Sequence, residues 1–354
     1  MRRALRLADR AIGLSDPNPR VGCCLLDSAG QLIGEGFTQQ AGGPHAEIMA
    51  LRDARARGAS TQGCTAVVTL EPCSHHGRTP PCADALVEAG VARVVIALPD
   101  PNPAVNGAGI ARLRAAGVVV ALAPADLAAA AHELNIGFIS RMQRGRPFVR
   151  LKAAASADGV TALPNGQSQW ITGPQARADG HAFRRRAGAI LTGIGTVLAD
   201  DPRLDVRDVE TFLQPLRVIV DSQLRIAPQA RVLAAPGTAC LVHAGAPTRA
   251  ELASIEQIAL PASDGRVDLH ALLARLAERG VNELHVEAGA TLNGALLAAG
   301  LVDEILLYQA PLLLGQGLPI ASLPALPDLA HAARWRRIDA TPVGEDLRLR
   351  FRPA

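Results

Sequence analysis

The chain has 354 residues, which predicts about two domains because one domain commonly holds about 100–200 residues. Hydrophobic residues make up 49% and charged residues 19% of the sequence, so a disordered or fibrous protein is excluded. The formal net charge is only +3 and aromatic residues make up 3%. This composition disfavours extended nucleic-acid binding, which needs basic surfaces and stacking rings, and leaves small anionic substrates open.

The sequence also argues against export and against membrane insertion. Residues 1–10 have the spacing of an amphipathic helix and lack the apolar core of a signal peptide. The longest apolar candidate, near residues 118–131, is interrupted by Pro124 and Asp126 and falls short of the roughly 18 residues of a spanning helix. Six unevenly spaced cysteines do not form a disulfide framework. We therefore expect a cytoplasmic protein whose Cys23, Cys24, Cys64 and Cys240 are small buried hydrophobic residues.

The first 145 residues alternate short β-branched runs with alanine- and leucine-rich stretches. Strands are predicted at 65–70 and 93–98, and helices at 45–58, 82–90, 107–116 and from about Asp126. The first three helices are each followed by a glycine near the C′ position, namely Gly58, Gly90 and Gly117. The basic stretch Arg141–Pro147 predicts an interdomain joint, with a boundary near 145.

The remaining residues show the same α/β alternation. Strands are predicted at about 148–154, 189–192, 216–220, 239–243, 283–287 and 304–309, with helices from Pro174 and at 268–279 and 291–299. Both halves are therefore predicted to be α/β domains.

The strongest chemical signal is a set of candidate zinc ligands. His45 is followed at two residues by Glu47, and a predicted strand then leads to Cys73 and Cys82. One imidazole and two thiolates leave the fourth position of a tetrahedral zinc open, which is typical of a catalytic site. In this pattern Glu47 carries protons and does not touch the metal. Prolines before His45 and Cys82 predict that both residues begin helices, whose positive ends favour thiolates.

Other interpretations of these residues remain open at this point. The site could be a closed structural zinc site, or two buried cysteines with an unrelated histidine. His75 and His76 compete with His45 as ligands, but Glu47 has no chemical partner unless His45 holds the metal. At the level of the whole protein, the alternatives are a zinc-stabilised binding module and a nucleobase or tRNA deaminase with an appended non-catalytic domain.

The spacing of the cysteines separates the chain from nucleoside and tRNA deaminases, whose cysteines stand two residues apart. Here eight residues separate Cys73 from Cys82. The segment Leu70–Cys82, together with Pro17–Gly22 and Asp100–Pro103, resembles the bifunctional deaminase/reductase family of riboflavin biosynthesis, and the resemblance spans nearly the whole chain. It implies a cytidine-deaminase-like three-layer α/β/α domain over 1–145 and a dihydrofolate-reductase-like α/β domain over 146–354.

The resemblance also implies roles for residues of the first half. The deaminase of this family removes the 2-amino group of 2,5-diamino-6-(5-phosphoribosylamino)pyrimidin-4-one, with Zn²⁺ on His45, Cys73 and Cys82 and with Glu47 as proton carrier. Weaker candidates for its pocket are Asn18, His76, Arg78, Asp100 and Asn102. For these residues, turn and capping roles are an equal alternative.

The second half says little without the resemblance, because Gly193–Leu198 lacks the third glycine of a dinucleotide fingerprint. Its segments nevertheless follow the order of the riboflavin reductases, which use NADPH to convert the ribosyl group to ribityl. Implied NADPH contacts are Ala154, Trp170, Thr196, Asp200, Ser222, Gly289, Ala290, Thr291, Leu292, Asn293 and Gly294. Implied substrate contacts are Ser168, Arg184, Leu204, Arg207 and Glu287.

Two of these substrate contacts have a clear chemical reason. Arg184 and Arg207 can each form bidentate contacts with a ribose phosphate. Without the resemblance, a solvated helix face for Arg184 and a loop charge for Arg207 would be preferred. The expected partners are a small phosphorylated pyrimidine and other copies of the chain in a homo-oligomer, with no nucleic acid and no membrane.

Overall fold

The computed structural model describes residues 1–74, 81–102, 106–247 and 249–354. Contacts between residues divide the chain into two compact units, Met1–Arg146 and Pro147–Ala354. Each unit combines helices with a β-sheet, which confirms the predicted α/β class. Among the described residues, no helix has both the length and the apolar character that crossing a bilayer requires.

The first unit is built on one mixed sheet. Its strands are β1 (Gly22–Leu26), β2 (Leu32–Phe37), β3 (Thr65–Val68), β4 (Arg93–Ile96) and β5 (Val119–Leu122), and its helices are α1 (Arg2–Asp9), α2 (Ala46–Ala56), α3 (Cys82–Glu88), α4 (Ala108–Ala115), α5 (Ala125–Leu134) and α6 (Ile136–Arg144). The strand order is β2-β1-β3-β4-β5. Strand β1 runs antiparallel to β2 and β3, whereas β3, β4 and β5 are parallel.

Small side chains bring α2 close to this sheet. The α2 residues Ala46, Ala50 and Ala54 are fully buried in the core. On the facing strand β2, a Cβ atom at Gly36 would lie 2.4 Å from Cβ of Met49, so only glycine allows the helix to approach this closely. Helix α2 is thereby held against the sheet, and its N-terminus is placed at the site described below.

Most predicted elements of the first unit are confirmed, whereas the first part of the predicted joint is helical. Gly58, Gly90 and Gly117 all adopt positive φ values after their helices, as the C′ prediction requires. Residues 141–144, which were predicted to belong to the joint, instead form the last turn of α6, and the helix ends at Gly145 with φ of 64°. Arginine is a good helix former, whereas glycine readily takes this left-handed conformation and ends the helix. Strands β2 and β5 were not predicted.

The second unit is built on a nine-stranded sheet. The strands of this unit, including two that lie outside the large sheet, are β6 (Phe148–Ala155), β7 (Val160–Ala162), β8 (Ala189–Gly193), β9 (Leu216–Val220), β10 (Ala239–His243), β11 (Glu256–Ala259), β12 (Glu283–Val286), β13 (Glu304–Gln309), β14 (Leu318–Pro319), β15 (Trp335–Val343) and β16 (Asp346–Pro353). Its helices are α7 (Pro174–Arg186), α8 (Ile194–Asp200), α9 (Arg231–Ala234), α10 (Leu269–Glu278) and α11 (Ala290–Ala298). The order in the large sheet is β11-β10-β9-β8-β12-β6-β13-β16-β15, and β7 pairs separately with β14.

The strands from β11 to β13 in this order are parallel, so their carboxyl ends meet at one edge. In open α/β sheets this edge is where ligands bind. All predicted strands and helices of the second half are present. The antiparallel hairpin β15–β16 was not predicted, although residues 346–353 alternate apolar and charged side chains as a half-exposed strand does. Cys23, Cys24, Cys64 and Cys240 are buried, as predicted.

Candidate active sites

Three predicted ligands come together at the helix ends of the first unit. His45 is the N-cap of α2, and Cys82 is the first residue of α3. Cys73 lies in the loop after β3, and its carbonyl accepts a hydrogen bond from the Ala83 amide. His45 Nδ1 lies 3.7 Å from Cys73 Sγ and 3.4 Å from Cys82 Sγ. The starts of α2 and α3 and the loop after β3 thus bring one nitrogen and two sulfur atoms close together.

These distances fit a tetrahedral zinc ion. Zn–S bonds of about 2.3 Å and Zn–N bonds of about 2.0–2.1 Å place sulfur and nitrogen ligands about 3.5 Å apart. The candidate ligand atoms of His45, Cys73 and Cys82 all lie within 4.8 Å of one another. Among the described residues, no other group of three histidine, cysteine or acidic side chains has this arrangement. A set of soft thiolates with one imidazole favours zinc over magnesium or calcium.

Charge within the cluster favours a thiolate at Cys73. A hydrogen bond from Cys82 lowers the pKa of Cys73 to about 4. The same hydrogen bond raises the pKa of Cys82, which keeps its proton. The Cys82 backbone N–H also lies 3.4 Å from Cys73 Sγ. Glu47 is 3% exposed on the first turn of α2, and burial raises its pKa to about 7. A carboxyl group that titrates near neutral pH is suited to accept and donate a proton.

The other predicted deaminase residues lie in loops around this unit. Asp100 and Asn102 lie after β4, where Asp100 Oδ1 accepts a hydrogen bond from the Asn102 amide at 2.8 Å. The Asn18 backbone N–H donates to the Ser15 carbonyl in the loop between α1 and β1. His76 and Arg78, and the rival ligand His75, lie outside the described residues.

In the second unit, three charged side chains meet at the carboxyl edge of the sheet. Two of them, Arg184 and Glu287, were predicted, and Lys152 was not. Arg184 of α7 forms a two-point ion pair with Glu287, with Nε–Oε1 of 2.5 Å and Nη2–Oε2 of 2.9 Å. Lys152 of β6 lies on the adjacent strand, with Nζ 3.8 Å from Glu287 Oε2. Burial raises the pKa of Glu287, but Arg184 and Lys152 outweigh it and hold this pKa well below its ordinary value. Glu287 is therefore a carboxylate.

Two further predicted substrate contacts adjoin this group through Asp205. The Arg184 Nη1 group donates to the Asp205 carbonyl at 2.9 Å, and Arg207 Nη1 donates to the Asp205 carboxylate at 2.9 Å. Leu204 precedes Asp205 and is buried with φ of 53°, a strained backbone conformation for a leucine. Arg207 remains 46% exposed, so its guanidinium can also reach a ligand.

The predicted cofactor residues fall into two groups. At the edge of the sheet, the N-termini of α8 and α11 are adjacent, because a Cβ at Gly289 would lie 3.7 Å from Thr196 Oγ1. The helix start at Gly289–Thr291 is partly exposed, so its free N–H groups can hold an anion. In contrast, Asn293 and Gly294 are buried. A Cβ at Gly294 would lie 2.0 Å from the Ser322 carbonyl oxygen, so this glycine is required for packing.

The other predicted cofactor residues have different neighbours. The Ser168 hydroxyl donates to Asp200 Oδ1 at 3.4 Å, and burial raises the pKa of Asp200. The ring of Trp170 is stacked by the guanidinium of Arg177 at 4.4 Å. Ser222 follows β9, where its carbonyl accepts from Ala244, and Ala154 packs beneath α7. The structure thus places the proposed substrate contact Ser168 beside the proposed cofactor contact Asp200.

Sequence reasoning missed three polar residues that organise these sites. Lys152 was given no role, although a lysine within an apolar strand is itself a signal. Asp205 joins Arg184 to Arg207 by contacts that the sequence does not reveal. Glu71, next to the Pro72-Cys73 pair, is 3% exposed and has its carboxylate fully engaged by the chain.

Comparison with known proteins assigns different families to the two halves of the chain. Residues 1–98 match the cytidine and deoxycytidylate deaminase zinc-binding region. Residues 147–349 match the RibD C-terminal domain. The riboflavin biosynthesis protein RibD of Escherichia coli is 46% identical, over 98% of this chain and 96% of the relative. That of Haemophilus influenzae is 43% identical, over 100% and 96% respectively.

Solved structures give the same answer. RibD of Acinetobacter baumannii is 43% identical, covers 100% of this chain and 97% of its own, and superimposes with a TM-score of 0.90. A diaminohydroxyphosphoribosylaminopyrimidine deaminase/5-amino-6-(5-phosphoribosylamino)uracil reductase of Thermotoga maritima is 33% identical at the same coverage, with a TM-score of 0.89.

The fold and the two matched regions define a bifunctional enzyme, in which a zinc-dependent, cytidine-deaminase-like domain is joined to an NADPH-dependent reductase domain. More particularly, the chain belongs to the RibD family, the deaminase/reductases of riboflavin biosynthesis. The predicted fold, activity and cofactors are thereby confirmed. The alternative of a nucleobase or tRNA deaminase with an appended non-catalytic domain receives no support, because the second half matches the RibD reductase domain.

Proposed function

We propose that residues 1–145 deaminate 2,5-diamino-6-(5-phosphoribosylamino)pyrimidin-4-one and that residues 146–354 reduce the product with NADPH. The final product is 5-amino-6-(5-phosphoribitylamino)uracil. The observation that carries the proposal is the convergence of His45, Cys73 and Cys82 beside the buried Glu47. The name of the similar Thermotoga maritima protein, which describes both reactions, supports the assignment of substrates.

In the deaminase, His45, Cys73 and Cys82 hold zinc and Glu47 moves protons. When bound, zinc supplies the Lewis-acid chemistry that makes water nucleophilic near neutral pH. Glu47 accepts a proton from the attacking water and returns it to the ring nitrogen. It then takes the second proton from the hydroxyl group now bonded to C2 and gives it to the departing amine, so that C2 becomes a carbonyl and the amine leaves as ammonia. Burial of the Glu47 side chain raises its pKa, which suits a group that both accepts and donates a proton.

We propose that Asn18, His76, Arg78, Asp100 and Asn102 complete the deaminase pocket. Asp100 and Asn102 support this because they are held in one turn beside the segment that carries Cys73. For Asn18 the support is its place in the Pro17–Gly22 motif. For His76 and Arg78 the support is the Leu70–Cys82 motif alone.

In the reductase, two arginines have different tasks. Arg207 binds the ribose 5-phosphate, because its guanidinium is half-exposed. Arg184 donates three hydrogen bonds to Glu287 and Asp205, so it orients Glu287 and has less capacity left for phosphate. Glu287, held by Arg184 and Lys152, accepts hydrogen bonds from the ribosyl hydroxyls. Ser168 and Leu204 complete the substrate-binding set.

When bound, NADPH would supply a hydride for C1′ of the ring-opened ribosyl imine, whose nitrogen takes a proton from solvent, and the protein positions the two reactants. We propose that Thr196 and the Gly289, Ala290, Thr291 and Leu292 turn bind the cofactor directly, which is supported by their adjacent helix starts. Asn293 supports the turn, because its side-chain amide donates to the Ala288 and Ile320 carbonyls. Gly294 permits the close packing of Ser322. Ala154, Trp170, Asp200 and Ser222 are the remaining proposed contacts.

We further propose a cytoplasmic homo-oligomer that acts on free small molecules and not on nucleic acid. None of the six cysteines forms a disulfide in the structure, which suits a reducing compartment. The net charge of +3 is small for a polyanion-binding protein of this length. Sedimentation of the purified protein tests the oligomer, and a monomer at micromolar concentration would contradict it.

The central experiment incubates the purified protein with the diaminopyrimidine ribotide, with and without NADPH. Ammonia release and product mass are followed together. We expect ammonia in both samples and the reduced product only with NADPH. If ammonia is released in the presence of NADPH but the product does not gain the mass of two hydrogens, the reductase assignment is contradicted. Reduction without ammonia release would contradict the proposed order.

A further inference from the structure

Glu71 is a buried carboxylate with no part in the chemistry described above. It lies two residues before Cys73 and is 3% exposed. It accepts three backbone hydrogen bonds of 3.0 Å: from Asp100 and Gly107 at Oε2, and from Ile110 at Oε1. Removing a carboxylate from water is costly unless its oxygens are satisfied, so these bonds fix where the chain carrying the three amides can lie.

The amides come from two functionally distinct places. Gly107 and Ile110 lie at the start of α4, where Gly107 is the N-cap and has φ of 82°. A helix start has N–H groups without intrahelical partners, and a carboxylate there is favourable. Glu71 thus caps α4 from a different part of the chain. Asp100, in contrast, belongs to the proposed pocket.

A second contact, which does not involve the hydrogen bonds of Glu71, also joins α4 to the segment before Cys73. A Cβ atom at Gly109 would lie 2.0 Å from the Pro72 carbonyl oxygen. Helix α4 therefore packs directly on the residue that separates Glu71 from Cys73. The segment before the thiolate ligand and the start of α4 are in close contact at two successive residues.

The hydrogen bonds continue from Glu71 into the pocket turn. Glu71 Oε2 holds the Asp100 amide, Asp100 Oδ1 holds the Asn102 amide at 2.8 Å, and the Asn102 carbonyl accepts from Asn106 at 3.0 Å. The Glu71 backbone N–H also donates to the Leu98 carbonyl at 2.9 Å, just after β4. Asp100 and Asn102 are thus linked by hydrogen bonds to the chain segment that ends in Cys73.

We propose that Glu71 is a positioning residue of the deaminase, which sets the Asp100–Asn102 turn at a defined distance from the Cys73 ligand so that the turn can recognise the pyrimidine ribotide. Glu71 touches neither the metal nor the substrate and acts through Asp100 and Asn102. The inference rests on the proposed function, because those two residues are proposed substrate contacts.

The test is Glu71→Gln in the full chain. The amide keeps the shape, but its NH₂ group must face at least one of the three N–H donors. We expect zinc content and reductase activity to stay at wild-type levels. We expect the KM of the diaminopyrimidine ribotide to rise roughly tenfold or more, as loss of a charge-assisted contact does, with a smaller change in kcat. The matched control is Asp27→Asn, whose carboxylate accepts the Ala29 and Gln31 amides in an exposed turn of the same unit.

A double-mutant cycle separates positioning from general support. If Glu71 acts through Asp100, Glu71→Gln should add little to the KM of Asp100→Ala. Hydrogen exchange of the peptides covering 98–102 and 106–111 should quicken in the zinc-loaded Glu71→Gln protein, while exchange around His45 stays unchanged. This second measurement does not need an active enzyme.

Three results would overturn the inference. These are kinetic constants of Glu71→Gln equal to those of Asp27→Asn, a loss of activity that follows loss of zinc, and full additivity with Asp100→Ala. Failure of the proposed function has a different signature. In that case the wild-type protein releases no ammonia from the ribotide, or Asp100→Ala alone leaves KM unchanged, whatever Glu71→Gln does to hydrogen exchange.

Discussion

Arg184 and Glu287 form a two-point ion pair at the carboxyl edge of the reductase sheet, with Nη2–Oε2 of 2.9 Å. The pair joins α7 to the end of β12. Through its third hydrogen bond, Arg184 also holds the backbone of Asp205, next to the strained Leu204. One guanidinium therefore fixes both an acidic side chain and the loop that carries Arg207.

The first prediction concerns this pair. Arg184→Ala should raise the substrate KM and also lower kcat of the reductase, because Glu287 loses its orientation and its main countercharge. The pKa of Glu287 should rise, so activity should decline at a higher pH than in the wild type as the solution is acidified. Reductase pH profiles of the two proteins test this. An unshifted acidic limb would show that Arg184 does not control Glu287, and Arg185→Ala on the same helix is the control.

The second prediction separates Arg207 from its neighbour. Arg207 and Arg203 both pair with Asp205 and are 46% and 42% exposed. Arg207→Ala should raise the substrate KM about ten- to a hundredfold while the KM for NADPH changes little, since a charge-assisted phosphate contact is lost. Arg203→Ala should leave both constants near wild type. A weaker NADPH affinity with unchanged substrate affinity would instead place Arg207 at a cofactor phosphate.

The third prediction tests the division of labour at the zinc cluster. Glu47→Gln should retain zinc but lose about 10²- to 10⁴-fold in the rate of ammonia release, because the proton carrier is removed. Cys82→Ala should lose the metal as well. Metal analysis and ammonia assays of both proteins decide the matter, with NADPH-dependent reduction of the deaminated substrate as the control. Deamination that survives Glu47→Gln would refute its proposed role.

The fourth prediction is that metal removal affects only one activity. Because the proposed zinc ligands all lie in the first unit, chelation should abolish ammonia release and leave reduction of the deaminated substrate unchanged. A chain that comprises residues 146–354 should likewise fold and reduce that substrate. Reduction that falls in parallel with zinc content would show that the reductase depends on the first unit.

The fifth prediction concerns stability of the second unit. Glu304 is fully buried and pairs with Arg150, Arg350 and Arg352. Burial raises its pKa, but Arg150 and Arg350 outweigh it and lower the value to about 2. Because an unfolded glutamate has a pKa of about 4.3, the stabilisation is complete above that pH and is lost as pH falls towards 2.

Glu304→Gln should therefore lower the free energy of unfolding at pH 7 by about 3–5 kcal/mol, since a buried Arg150 loses a countercharge. The difference from wild type should shrink at pH 3. Denaturant unfolding at both pH values measures it. Glu278→Gln removes an exposed ion pair with Arg275 and should change little. A difference that does not depend on pH would mean that the charge of Glu304 is not the source of the stability.

The sequence by itself determined the α/β class, the candidate zinc ligands and most of the elements. Periodicity and glycine positions are local properties, so the helices ending before Gly58, Gly90 and Gly117 could be read directly. The ligands could be read because metal chemistry restricts residue type, and prolines place His45 and Cys82 at helix starts. The resemblance to a known family, carried by the order of motifs, was needed for the reductase half.

Only the tertiary structure decided how polar residues far apart in the chain are paired. Arg184 and Glu287 are 103 residues apart, and Glu71 binds amides 29 to 39 residues away. These pairings depend on strand order and helix placement, which no local pattern encodes. The sequence did not reveal that the first residues of the predicted joint are helical, because a basic, glycine-ended stretch is equally compatible with a linker and with the last turn of α6. Gly294 likewise has a packing role against Ser322, which only the folded backbone reveals.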